Sequence, residues 1–209
     1  MRSRAISLLL VAIALFTIAP SLQARGRKKA ASTEPGTYKE WGPDIDEIEI
    51  LKSFKTADYD RIVVLPFDTS ATPMPDKSDR SYDTIKSVLA GYTSTLVEGL
   101  KRELKAKLQV EQADKAPKTA KTLIIRGKVD DINPGSRAGR YFGGFGAGAA
   151  GNKVSGEIVD AKSGQVLVRF TQSRRSAGTF KGAGGSDSEV MRDSIHAIGE
   201  DIAHLIEAF

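Results

Sequence analysis

The sequence predicts an α/β (α+β) fold: a single small domain in which a mixed, mostly antiparallel sheet of about four to five strands is packed by two helices. Three observations predict it. The continuous apolar run Arg61-Ile-Val-Val-Leu-Pro-Phe-Asp68 precedes a long segment of helical period. Two alternating arms flank a turn at residues 160–164. A second helical seam closes the chain.

The run from Arg61 ends at Pro66 and suits a strand buried on both faces. A turn-rich stretch with Pro73, Pro75, Asp76 and Asp79 follows. Over residues 82–107, Ile85, Val88, Leu89, Tyr92, Leu96, Leu100 and Leu104 fall on one stripe at three- and four-residue steps, the signature of one amphipathic helix. Lys86, Glu98, Lys101, Arg102 and Lys105 take the far face, with the bases gathered where a helix dipole favours them. Leu108–Glu111 reads as a short strand and Thr122–Ile132 as a clearer one, punctuated by Asn133-Pro134-Gly135. Val154, Gly156 and Ile158 alternate on one arm of a hairpin over 153–175, and Val166, Val168 and Phe170 on the other. Gly164 is placed for a positive φ in the turn. The last helix starts at Ser186-Asp187-Ser188-Glu189, and Met191, Ile195, Ile198, Ile202, Leu205 and Phe209 form its seam.

Upstream, residues 1–24 have the three parts of a secretory signal peptide: Arg2 and Arg4, an apolar run from Ala5 to Ala19, then Pro20 and a small residue at Ala24. The run is about 15 residues, short of the ~20 that span a bilayer as a helix. Cleavage after Ala24 is expected, which leaves no transmembrane span in the mature chain and sends it to the periplasm or beyond, with outer-membrane association open. The alternative is an uncleaved anchor. Residues 25–58 read as a linker or lead-in. Within it Asp44, Asp46, Glu47 and Glu49 alternate with Ile45, Ile48 and Ile50, as in a short strand or an amphipathic turn. The EF-hand spacing is missing, so a solvated acidic face is the better reading than calcium. The domain proper is expected over 59–209.

Of 209 residues, 40% are hydrophobic and 27% charged, enough for a packed core. The formal charge of +5 belongs to the leader and to Arg25, Arg27, Lys28 and Lys29, and the remainder is about neutral. A nucleic-acid partner is therefore not expected, because such binders carry their bases on the folded domain. The absence of cysteine excludes disulfides, thiolate metal sites, cysteine nucleophiles and a lipidated cysteine.

Gly146-Ala-Gly148-Ala-Ala-Gly151 matches the dinucleotide fingerprint literally, but a strand-like segment follows it where a helix should open. No cofactor is expected. His196 and His204 lie too far apart for an i, i+4 metal pair, no acid is obviously placed with them, and both read as surface or boundary residues. No nucleophile elbow is present. No catalytic, cofactor-binding or metal residue is assigned. The distinctive stretch is 135–151, where Arg137, Arg140, Tyr141, Phe142 and Phe145 are set among small residues. Aromatic anchors and arginine carry binding energy at interfaces, so these five are the candidate contact residues. A plain glycine-rich loop or strand is the structural alternative.

Those residues also carry a resemblance. The stretch Leu123-Ile-Ile-Arg-Gly-Lys-Val-Asp-Asp-Ile-Asn-Pro-Gly-Ser-Arg-Ala-Gly-Arg-Tyr-Phe-Gly-Gly-Phe-Gly-Ala-Gly-Ala, continued by Val-Ser-Gly-Glu-Ile-Val-Asp-Ala-Lys-Ser-Gly-Gln-Val-Leu, resembles the bacterial envelope family catalogued as domain of unknown function 4410. Ile62-Val-Val-Leu-Pro-Phe and the Leu96–Leu104 helix fit as well, so the resemblance spans roughly 59–175. Many members look like lipoproteins, and the missing cysteine implies a soluble periplasmic form. The resemblance implies no activity. The expectation is an exported, non-enzymatic envelope accessory protein that acts through contact with an unknown envelope protein, possible homo-oligomer included. The alternatives are a self-assembling or pore-associated subunit and, less favoured, an enzyme acting on an envelope component.

Overall fold

A computed structural model of the chain describes residues 31–42, 44–135, 150–175 and 186–209. Its strands are β1 (Gly36–Trp41), β2 (Ile45–Ile50), β3 (Arg61–Val64), β4 (Gln109–Gln112), β5 (Thr122–Asn133), β6 (Gly151–Asp160) and β7 (Val166–Arg175). Its helices are α1 (Tyr82–Ala90), α2 (Tyr92–Glu103) and α3 (Asp187–Glu207). The seven strands form one mixed sheet in the order β1-β2-β7-β6-β5-β3-β4. Neighbours from β1 to β5 are antiparallel, and β5, β3 and β4 run parallel.

Among the described residues the sheet is thus larger than the four or five strands expected, and three helices stand where two were expected. The two added strands, β1 and β2, come from the stretch read as a lead-in. β2 pairs with β7 through Glu47–Thr171, Ile48–Phe170, Glu49–Arg169 and Ile50–Val168, and the alternation of acids with Ile48 and Ile50 is that of a half-buried strand. The 82–107 helix is in fact two. Gly91 (φ −102°, ψ 9°) ends α1 and starts α2, yet the apolar stripe passes through it, with Ile85, Val88, Tyr92, Leu96 and Leu100 all buried.

β3 sits between β5 and β4, and Ile62, Val63 and Val64 are fully buried, as a parallel inner strand requires. Returning from β3 to the parallel β4 needs a crossover, which α1 and α2 supply. The β6–β7 hairpin turns as expected. Gly164 has φ +72°, and Asp160 Oδ1 accepts the Ser163 N–H at 2.7 Å. α3 opens with a capping box in which Ser186 and Glu189 satisfy each other's backbone N–H groups.

All three helices pack on one face of the sheet. α2 and α3 cross at a pair of glycines: a β-carbon on Gly99 would lie 2.2 Å from the His196 carbonyl oxygen, and one on Gly199 2.2 Å from that of Leu96. The chain's last residue, Phe209, stacks between Phe54 (ring centroids 4.4 Å) and Trp41 (5.9 Å), tying the segment before β3 to the end of α3. Among the described residues no helix is long and apolar enough to cross a membrane.

Candidate functional site

Among the described residues, no helix packs on the sheet's other face. A strand alternates its side chains, so while Ile48, Phe170, Val154 and Ile125 point into the helical core, their sequence neighbours point out. Pairing register then lines those neighbours up. Glu49 on β2, Arg169 on β7, Glu157 on β6 and Arg126 on β5 form one row straight across four strands. Glu47, Thr171, Ser155 and Lys128 form a second row two residues along.

The first row is a chain of ion pairs. Arg126 donates to Glu157 Oε2 from Nε and Nη2 at 2.9 and 2.7 Å. Arg169 donates from Nε to Glu157 Oε1 at 3.1 Å and from Nη1 to Glu49 Oε2 at 3.0 Å. Burial pushes the Glu157 carboxyl up, but the hydrogen bonds and charges of Arg126 and Arg169 outweigh it and hold the group below the usual carboxylate range. In the second row Lys128 Nζ lies 2.9 Å from Asp130 Oδ1, and Ser155 donates to Asp130 Oδ2 at 2.5 Å. After Pro66 the chain runs beside β5, where Asp68 pairs with Lys128 through the backbone and accepts the Ser70 N–H. Leu65, Pro66 and Asp68 thereby border an open concavity of about 670 Å³ over these rows.

Half-exposed ion pairs of this kind each contribute only ~0–1 kcal/mol to stability. Their ordered signs therefore matter more to what meets the face than to the fold. A general acid or base needs a pKa near the working pH, and Glu157 is moved away from it.

A second polar cluster lies on the helical side, beneath the β1–β2 connection. Asp201 of α3, 1% exposed at its side chain, is gripped by Arg174 of β7: Arg174 Nε donates to Asp201 Oδ2 at 2.6 Å and Nη2 to Oδ1. Gln172 Nε2 also donates to Asp201 Oδ2, at 2.6 Å, while Gln172 Oε1 accepts the Asp46 N–H at 2.9 Å. Next to it His204 bridges two acids, with Nδ1 2.8 Å from Asp44 Oδ2 and Nε2 3.0 Å from Glu103 Oε1. Asp44, Asp201 and His204 offer ligand atoms within 4.8 Å of one another. Arg174 reaches both carboxylates, however, Asp44 at 3.4 Å, and a metal ion there would face a guanidinium. The donor set fits arginine and imidazolium.

Two carboxylates on the two ring nitrogens call for a doubly protonated imidazole, since a neutral ring has only one N–H. Burial lowers the His204 pKa, but the bonds to Glu103 and Asp44 prevail and raise it above the ordinary histidine value. Arg174 on Asp44, Lys105 on Glu103 and the nearby Asp201 complete its surroundings. A histidine pKa raised by folding stabilises fully below the unfolded value of ~6.5, and the gain disappears as pH rises through the folded value. Urea unfolding at pH 6 and pH 8.5 is therefore expected to show a loss of about 1 kcal/mol that His204→Gln removes, the size being kept small by a side chain 34% exposed. An unchanged pH dependence in the variant would remove His204 from this role.

The contact residues expected from the sequence, Arg137, Arg140, Tyr141, Phe142 and Phe145, lie outside the described residues. The strand ends that lead into and out of their segment are described: Asn133, Gly151 and Arg175 stand side by side in register at one end of β5, β6 and β7. The reading that no acid is placed with the histidines is corrected for His204, whose acids come from distant parts of the chain. The acids read as one solvated patch also divide. Asp44 turns to His204, Asp46 to Ser173, and Glu49 to Arg169.

The family model for Domain of unknown function (DUF4410) matches residues 57–179. No curated protein matches the chain. Among solved structures, a PelC dodecamer from Paraburkholderia phytofirmans is 14% identical over 73% of this chain and 96% of its own, with a TM-score of 0.44. The hypothetical protein CT253 from Chlamydia trachomatis is 8% identical over 72% and 99%, with a TM-score of 0.40. Lipoprotein GNA1162 from Neisseria meningitidis is 15% identical over 69% and 99%, with a TM-score of 0.36.

Proposed function

The chain belongs to the DUF4410 family, and on that premise we propose that it is an exported, non-enzymatic envelope accessory protein that works by contact, through the face of its sheet opposite the described helices. The observation that carries this reading is the pair of charged rows over β2, β7, β6 and β5, set in a concavity of about 670 Å³. Such a face is rich in oriented charge, and Glu157 at its centre is held below the usual carboxylate range by Arg126 and Arg169. Ordered charge of this kind selects partners more than it adds stability. The secretory leader supports the location.

The test is photo-cross-linking in intact cells. A photoreactive residue at Thr171, in the middle of the face, is expected to give discrete adducts, and one at Lys101, exposed on α2, is not. Phe142→Ala and Arg140→Ala form a second arm, expected to weaken capture while leaving circular dichroism unchanged. Equal adducts from both positions would count against the face. Full-length precursor in the cytosol would overturn the location, and reproducible turnover by the pure protein, lost on one carboxylate substitution, would favour an enzyme.

A further inference from the structure

The two rows share a property that neither needs for the fold: each is antisymmetric in charge about the line between β6 and β7. Read from β2 to β5, the first runs negative, positive, negative, positive, through Glu49, Arg169, Glu157 and Arg126. The second runs negative, neutral, neutral, positive, through Glu47, Thr171, Ser155 and Lys128, with the Asp130 carboxylate set beside Ser155 and Lys128 at its positive end. A pattern that changes sign on reversal is its own complement.

We propose that the partner of this face is a second copy of the chain, docked face to face about a two-fold axis that runs parallel to the strands and passes between β6 and β7. The proposal rests on reading the face as a contact surface and names what it contacts. The axis sets β2 opposite β5 of the partner subunit and β7 opposite its β6. Glu49 then meets Arg126 of the partner subunit, Arg169 meets Glu157 of the partner subunit, and Glu47 meets Lys128 of the partner subunit. Thr171 and Ser155, which can each donate or accept, meet at the centre. Four strands about 4.8 Å apart place these charges over roughly 14 Å, on rows about 7 Å apart along the strands. The self-matching geometry is that of an isologous interface.

The same rows exclude the other arrangement. A two-fold axis across the strands sets Glu49 against Glu49 or Glu47 of the partner subunit, and Arg126 against Arg126 or Lys128 of the partner subunit. Like charges then meet along both rows, so the pattern chooses one axis and penalises the other. An interface built from charge over an open concavity is wet and salt-sensitive.

Sedimentation velocity on the full chain as recovered from cells tests this, without any partner protein. A concentration-dependent dimer is expected in low salt, weakened at least about tenfold on going from about 0.05 M to 0.5 M salt. Glu47 is exposed and takes part in no ion pair among the described residues, so Glu47→Lys probes the contact without disturbing the fold. Glu47→Lys and Lys128→Glu are each expected to weaken dimerisation about tenfold or more, and the double variant to restore it. Restoration also controls for the intramolecular Lys128–Asp130 pair, which the double variant lacks equally. A monomer at every concentration in low salt, single variants that associate like the parent, or a folded double variant that stays monomeric would each overturn the proposal. Failure here leaves the contact reading standing if Thr171 still cross-links to a different protein. A cytosolic precursor would sink the export reading without touching the dimer.

Discussion

Replacing Gly199 by alanine is expected to destabilise the chain by about 3 kcal/mol, lowering the melting temperature by roughly 6–12 °C for a domain of this size. Two effects oppose each other. Alanine in a helix interior is better than glycine by about 1 kcal/mol. The new methyl, however, would stand 2.2 Å from the Leu96 carbonyl oxygen and 2.7 Å from the Leu100 nitrogen. Both obstacles are backbone atoms of α2, so no rotamer relieves them and the two helices must part. Parting them loosens the Leu96, Leu100, Ile195, Ile198 and Ile202 packing, all of it fully buried. Gly99→Ala meets the His196 carbonyl from the other side and should cost a similar amount. Gly91→Ala is the control: the nearest atom to its β-carbon is 3.9 Å away and its φ is negative, so stability should be unchanged or slightly raised. Thermal and urea unfolding of the three variants decides it. Parent-like stability in Gly199→Ala would mean that α2 and α3 do not approach this closely.

That contact marks where sequence reading stops. The apolar seam of α3 is visible as period, because Met191, Ile195, Ile198 and Ile202 repeat within one segment. Gly199 lies beside that seam and reads as a weak helix former. Only the neighbouring helix gives it a purpose. The buried run of β3 and the turn at Gly164 are legible for the same local reason. β1 and β2 are not, because they pair locally with each other and join the rest of the sheet only where β2 meets β7, over a hundred residues on, and charged lead-in residues resemble linker until something covers their apolar side. The break at Gly91 is hidden because the stripe continues in phase through it. The charged rows fall between these cases. Period two tells that Ser155 and Glu157, or Arg169 and Thr171, share a face, but which residue stands beside which depends on register. Irregularities between Val129 and Asp131 and between Ile158 and Val159 shift that register in ways composition does not announce. His204 gathers Asp44 and Glu103 from two other elements, and no spacing rule reaches that far.

Removing the Arg174 side chain is expected to cost about 3 kcal/mol, because the change strands a charge rather than merely deleting a contact. Asp201 is buried in the interior face of α3, and burial pushes its carboxyl up while Arg174 and Gln172 pull it back. In Arg174→Leu only the Gln172 amide remains, and the carboxyl rises further. For an acid whose folded pKa exceeds its unfolded one, the penalty is absent below the unfolded value of ~3.9 and grows as pH rises through the folded one. The variant should therefore lose most at neutral pH and recover toward acid. Asp201→Leu alone leaves Arg174, 36% exposed and still in reach of Asp44, with water as an alternative partner, and costs less. The double replacement fills the site with apolar volume and should lie near the parent in stability. A double-mutant cycle on urea midpoints then reads a coupling of at least about 3 kcal/mol. A coupling near zero would mean that water supplies what Arg174 supplies, and that the hold of α3 on β7 beneath the β1–β2 hairpin comes from packing alone.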